Sequence, residues 1–197
     1  MIHQNLIGLV LAGGQSQRMN TDKGLLNYHG IPQREYLYQL MQPYCEKVYI
    51  CCQPAQAETV SPGLLVLTDE QNGIGPAAAL LTAYHCHPKA SFLLIGCDYP
   101  LVDTRHIERL LAHRNAHTDA VVYKNAETGI PEALLGVYEN HCLVRFEKEI
   151  QACNYSLRFF AQQAATTFLF PIKNEAIQSI DTPEEFDRIK KELSKRL

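Results

Sequence analysis

Long apolar runs are missing from this chain of 197 residues. A membrane helix needs about 20 consecutive apolar residues, and no stretch comes near that, so no membrane span is predicted. The opening residues MIHQNLIGLVLAGG lack the charged start of a secretory leader, and none is expected. Excess positive charge is missing as well. The formal net charge is −3, which argues against the broad positive field of a non-specific nucleic-acid binder and leaves room only for a local basic site. The cysteines number seven, an odd count, and none stands in a CxxC pair. A disulfide framework is therefore not expected; reduced thiols, mostly packed in the core of a cytoplasmic protein, are. Internal repeats, low-complexity tracts and a dividing linker are also absent from the sequence.

What is present is enough apolar content to bury a core: 46% hydrophobic against 20% charged residues. Short apolar runs at 6–11, 47–51, 64–67, 92–95, 120–123, 133–138 and 167–170 read as strands. Helical patterns lie between them. Ile107, Leu110 and Leu111 mark one apolar face, and Leu143, Phe146 and Ile150 another. Pro76 stands at the first turn of an alanine-rich helix. Thr182-Pro183-Glu184-Glu185 forms a capping box ahead of Phe186, Ile189 and Leu193, with lysines near the far end of that helix, where they suit its dipole. Alternation of this kind predicts an α/β fold of three layers, a mostly parallel sheet with helices on both faces.

In such sheets ligands bind beyond the carboxyl ends of the strands, and three signals fall there. The first is LAGGQSQRMNTDKGLL at 11–26, directly after the first strand. Gly13 and Gly14 free backbone NH groups, and Arg18 and Lys23 add cations, which together suit a triphosphate. The spacing is neither GxxxxGK[ST] nor GxGxxG. The second signal is Gly96-Cys97-Asp98-Tyr99-Pro100, where a carboxylate at a strand end suits Mg²⁺ with substrate phosphates. The third is Asp69 with Gly73-Ile74-Gly75-Pro76, which permits close backbone approach to a ligand or forms a plain loop before a helix. His85, Cys86 and His87 point in different directions at a helix end and read as surface residues, not a metal clip.

These motifs resemble the molybdenum cofactor guanylyltransferases of the MobA-like nucleotidyltransferase group. The shared pattern runs LAGG at 11–14, Arg18-Met19, Asp22-Lys23, GIGPAAAL at 73–80 and GCDYPLV at 96–102. It continues with TGIPEALLGVYE at 128–139, SLRFF at 156–160 and SIDTPEEF at 179–186. LAGG also separates this group from related cytidylyltransferases, which more often carry LAAG.

The resemblance implies a single nucleotidyltransferase domain over 1–197 with a Rossmann-like fold. It implies GTP as substrate, Mg²⁺, and molybdopterin or its molybdenum-bound form as acceptor, with molybdoenzyme maturation proteins as further partners. Leu11, Ala12 and Gly13 would meet the guanine and sugar, with Gly14 beside them. Lys23 and Arg18 would bind phosphate, Asp69 the nucleotide, and Asp98 the metal. Arg18, Lys23 and Asp98 would be the catalytic set. The acceptor would lie near 128–138, with Glu132 and Arg158. The chain departs from the family pattern at Asn20, where Gly is common, and at Ala133, where Pro is common. It also departs at Cys51, Cys52 or Gln53, in place of an asparagine. Asp181 stands where the family has Asn and reads either as a second metal ligand or as a residue leading into the last helix. Cytidylyl or other nucleotidyl transfer to an alcohol or sugar phosphate, and a non-catalytic nucleotide-binding adaptor, are the competing readings.

Overall fold

The computed structural model describes residues 4–13, 15–16, 21–68, 73–171, 177, 179–180 and 182–193. The first strand, β1 (Leu6–Leu11), is the unbroken apolar run LIGLVL, buried up to its last residue. An unbroken run of this kind suits a strand covered on both faces. β1 is flanked in parallel by β4 (Lys47–Cys52) and β6 (Ser91–Gly96). A two-residue hairpin, β2 (Gln15–Ser16) with β3 (Thr21–Asp22), stands apart from the main sheet. The other strands are β5 (Val66–Thr68), β7 (Ala120–Lys124), β8 (Pro131–Tyr138) and β9 (Thr166–Leu169). Their order is β5-β4-β1-β6-β8-β7-β9. Within this seven-stranded sheet, among the described residues, only β8 runs against its neighbours: it pairs antiparallel with both β6 and β7, while β7 and β9 are parallel.

Two apolar layers cover this sheet. On one face α1 (Gln33–Met41) and α4 (Thr104–Ala112) seat Leu37, Met41, Ile107 and Leu110 against Val10, Ile50, Leu93 and Val121. On the other, α3 (Pro76–Cys86), α5 (Asn140–Gln151) and α6 (Leu157–Gln163) seat Leu80, Phe146 and Phe160 against Leu9, Phe92 and Val122. A short α2 (Pro54–Ala57) follows β4. The last helix, α7 (Pro183–Leu193), brings Ile189 together with Tyr28 and Ile180. The capping box before it forms as expected, with Thr182 N donating to Glu185 Oε2 at 3.0 Å and Glu185 N to Thr182 Oγ1 at 3.3 Å.

The three-layer α/β expectation holds, with shifted strand ends. β5 begins at Val66, not Leu64, because Gly63 at φ +91° closes a turn in which Leu64 N donates to Ser61 O. β8 begins at Pro131, ahead of Ala133, and continues pairing with β7 past a register shift at Val122/Tyr123. β9 stops at Leu169, leaving Phe170 exposed. The seven cysteines stand outside disulfides: Cys45, Cys51, Cys52, Cys97 and Cys142 are buried, Cys86 and Cys153 exposed. His85 meets Glu147 at 2.9 Å and His87 meets the Tyr49 hydroxyl at 3.0 Å, so the two rings serve separate partners.

Candidate active site

The register aligns Leu11 with Cys51 on one side and with Gly96 on the other. One further step of the ladder follows: Ala12 N donates to Cys51 O at 2.9 Å and Cys97 N to Leu11 O at 3.2 Å. The loops that leave β1, β4 and β6 therefore start level with one another. β8 runs the opposite way, so its first residues, Pro131 and Glu132, arrive at this same edge.

The first loop returns as a 3-10 turn at Lys23–Leu25. Asp22 caps it, with Oδ1 accepting from Gly24 N at 2.8 Å, and this fixes Lys23 as the first residue of the turn. Asp22 Oδ2 accepts from Gln56 Nε2 at 2.8 Å and lies 3.9 Å from the guanidinium of Arg34. Arg34 is fully buried on α1 and donates to the carbonyl and, at 3.1 Å, the hydroxyl of Thr59. Ala12 is buried, and Leu11 and Gly13 are half-buried at the lip. Gly14 and Arg18 lie outside the described residues.

The second loop turns at Gly96. A Cβ at that position would collide with Asp98 Oδ1, so only glycine lets the Asp98 side chain fold back over the strand end. Asp98 Oδ2 accepts from Ser179 Oγ at 2.9 Å, and its carbonyl accepts from Ile180 N at 3.0 Å. Next to it, Tyr99 is buried and donates its hydroxyl to Glu132 Oε2 at 2.9 Å. Arg158 Nε donates to Pro131 O at 3.2 Å, bringing a cation to the same corner.

The charges act on one another. Burial raises the Glu132 pKa and the charge of Asp98 pushes it the same way, against the Tyr99 hydrogen bond and Arg158. Burial pushes the Tyr99 phenol up strongly, with Asp98 and Glu132 adding to it. Tyr28 is raised by burial, then by Asp98 and Glu185. The fully buried Cys97 thiol is raised well above its ordinary value by burial, then by Asp98 and Asp22, with Arg34 and Lys23 opposing. The charges of Asp98, Asp22 and Lys23 from the two loops, and of Arg34 from α1, thus all act on Cys97.

The third signal also falls at this edge. Thr68, the last residue of β5, stands beside Cys52. Gly73 and Gly75 have φ of +87° and +61°, values that glycine adopts without a Cβ penalty, and Gly75 with Pro76 opens α3. Asp69 lies outside the described residues, as does Asp181, although its neighbours Ser179 and Ile180 contact Asp98.

The donor chemistry at Asp98 fits Mg²⁺, a hard cation that takes one or two carboxylates and completes its shell with water and phosphate oxygens. Among the described residues there is no group of three or more metal-ligating side chains. A shallow depression lined by Leu111, Arg114, Glu139 and His141 lies at the opposite edge of the sheet, where Arg114 and Glu139 pair with each other. Among the described residues no helix is long and apolar enough to cross a membrane.

Sequence reasoning brought forward Lys23, Asp98, Glu132 and Arg158, and these converge. It missed Gln56, Arg34, Tyr99 and Ser179. Gln56 had only a partial trace, since Gln53-Pro54 after a strand marks a helix start. Arg34 had none, because its pattern is that of an exposed helix residue.

The family model described as MobA-like NTP transferase domain matches residues 8–166. The molybdenum cofactor biosynthesis bifunctional protein of Synechocystis sp. is 35% identical over 185 residues, covering 93% of this chain and 53% of its own. The chain thus spans about half the length of that relative. The molybdenum cofactor guanylyltransferase of Ectopseudomonas mendocina is 30% identical over 179 residues, covering 89% of this chain and 87% of its own. Among solved structures, molybdopterin-guanine dinucleotide biosynthesis protein A from Archaeoglobus fulgidus superimposes with a TM-score of 0.79 at 21% identity, covering 96% and 99% of the two chains. That last likeness is one of fold.

Proposed function

Because the chain belongs to the MobA-like NTP transferase family, we propose that it transfers GMP from GTP to the terminal phosphate of molybdopterin, with or without bound molybdenum. An oxygen of the acceptor phosphate forms the new bond to the α-phosphorus. The bond from that phosphorus to the β-phosphate bridge breaks, and pyrophosphate leaves with the electron pair. The acceptor oxygen is already anionic, so alignment and charge neutralisation carry the reaction and no strong base is needed.

The observation that carries this reading is that the loops bearing Lys23 and Asp98 leave β1 and β6 level with one another at one end of the sheet. In the proposed site Leu11, Ala12, Gly13 and Gly14 meet guanine and ribose, and Asp69 the nucleotide. Lys23 and Arg18 bind the phosphates and stabilise the departing pyrophosphate, Lys as a point charge and Arg as a fork of donors. Asp98, with Asp181, would hold Mg²⁺, which when bound supplies positive charge to the phosphates. Glu132 and Arg158 face the acceptor. Residues 1–197 act as a single nucleotidyltransferase domain in the cytoplasm, handing the product to molybdoenzyme maturation proteins.

The test is incubation with GTP, Mg²⁺ and molybdopterin. The expected result is the guanine dinucleotide form of the cofactor together with stoichiometric pyrophosphate. Equal use of CTP would redirect the reading to cytidylyl transfer, and GTP binding without pyrophosphate release to a carrier.

A further inference from the structure

Two parts of the first loop must keep a fixed distance if one nucleotide is to touch both. One is the end of β1 at Ala12; the other is the turn that carries Lys23. No backbone ladder joins them directly among the described residues. The side chain of Gln56, on α2, does. Its Nε2 donates to Ala12 O at 3.2 Å and to Asp22 Oδ2 at 2.8 Å, using both amide hydrogens. Its Oε1 accepts from Gln53 N at 3.0 Å. A flipped amide would set an oxygen against two acceptors and a donor against a donor, so the network admits one orientation only.

Gln56 is itself braced from below. Thr59 Oγ1 donates to Gln56 O at 2.7 Å, and Thr59 is held by the fully buried Arg34. The aliphatic stem of Arg34 lies directly under the turn, since a Cβ at Gly24 would stand 3.2 Å from Arg34 Cδ and 3.3 Å from the Ala12 Cβ. Strand end, turn and α2 thus meet through one side-chain amide, and α1 braces it through Thr59.

We infer that Gln56 is a positioning residue for the nucleotide, setting the spacing between the base-and-sugar contacts at the end of β1 and the phosphate contact at Lys23. The inference rests on the guanylyl-transfer reading for its kinetic expression. Neither an acid nor an apolar side chain can replace the amide. Glutamate would place a second carboxylate against Asp22, and methionine would fill the space without donating.

The test uses Gln56→Met and Gln56→Glu in the full chain. GTP binding is measured by calorimetry without acceptor, and steady-state rates with each substrate varied in turn. Loss of one to two hydrogen bonds predicts a rise of about tenfold in the Kd and KM for GTP. The Glu variant is expected to be the weaker binder. The KM for molybdopterin should match that of the parent, and the thermal midpoint should fall by no more than about a few degrees. Unchanged GTP affinity in both variants overturns the inference. So does a fall in thermal midpoint accompanied by equal losses for both substrates, the mark of a merely structural role. Absence of guanylyl transfer by the unaltered protein would overturn the function instead, and the calorimetric comparison would still decide the role of Gln56.

Discussion

Ser179 donates its hydroxyl to Asp98 Oδ2 at 2.9 Å across 81 residues of chain. The following amide, Ile180 N, donates to the Asp98 carbonyl at 3.0 Å, and Ile180 is buried with Tyr28 and Ile189. The last segment of the chain is thus a brace for the acid at the end of β6, with α7 anchoring it. Ser179→Ala removes the side-chain half of the brace and leaves the backbone half. Outer-shell partners of this kind tune metal affinity. The Mg²⁺ concentration for half-maximal activity is expected to rise about tenfold, with little change in thermal midpoint. A Mg²⁺ titration checks it, and an unaltered midpoint of that titration would leave Ser179 without a role in metal binding.

Lys23 sits on a turn whose cap is made by Asp22, so its ammonium can be removed without disturbing the cap. Lys23→Ala is expected to lower turnover by about 10²–10³, with the fold intact by circular dichroism. Asp98→Asn keeps the acceptor oxygen for Ser179 but loses the charge. Its expected signature is different, a loss that added Mg²⁺ partly restores.

Gly96 offers a sharper probe of geometry than of charge. Gly96→Ala adds one methyl group, which collides with Asp98 Oδ1. The side chain must swing away from the strand end, so activity should fall as far as in Asp98→Asn while most stability remains. Full activity in the alanine variant would mean that the folded-back position of Asp98 is not the working one.

How much of this was legible in the sequence follows from the physics of each element. β1 and β6 announce themselves because strands buried on both faces need unbroken apolar runs, and their loops carry Gly13 and Asp98 in plain view. The helix α1 does not, because it turns Gln33 and Arg34 inward, breaking the apolar period that would mark it. The antiparallel course of β8 was hidden for another reason: an apolar run reads the same in either direction. That direction brings Glu132 to the site, and only the resemblance carried it there beforehand. The hydrogen bonds of Gln56 and Ser179 join residues 44 and 81 positions from their partners, separations that local pattern does not encode.

Glu132 trades stability for position. Burial and Asp98 raise its pKa above the ordinary 4.5, so the folded state holds the proton more tightly than the unfolded chain does. The stability tied to this group is therefore fully present below about pH 4.5 and is lost as pH rises through the folded value. Glu132→Gln keeps an oxygen for the Tyr99 hydroxyl and removes the charge. Thermal scans should show the variant more stable than its parent at neutral pH, with the difference closing on acidification. Acceptor use should suffer while GTP binding does not. A variant that is less stable at neutral pH would refute the assignment of strain to this carboxylate.

The opposite edge of the sheet holds a partly buried ion pair. Arg114 donates to both carboxylate oxygens of Glu139, at 2.7 and 2.9 Å, and Ser91 Oγ donates to the same group at 2.8 Å. Burial by itself would raise the Glu139 pKa; the hydrogen bonds from Arg114 and Ser91 more than reverse it and hold it below the ordinary 4.5. The corresponding stability is present above that value and lost as pH falls through the folded pKa. Arg114→Met leaves a buried carboxylate with Ser91 but no cation, at a cost of about 3 kcal/mol. With Arg114 gone, burial dominates and the sign inverts, so the variant should recover stability on mild acidification where the parent begins to lose it. Adding Glu139→Gln to Arg114→Met should restore most of the loss, because a neutral buried amide carries no uncompensated charge. Urea titrations at pH near 7 and near 5 distinguish these outcomes. Nucleotidyl transfer measured below the unfolding range should be the same in all three proteins, since the pair lies at the far end of the strands from Lys23 and Asp98. A loss in Arg114→Met that does not shrink on acidification would show that packing, and not the ion pair, sets the stability of this edge.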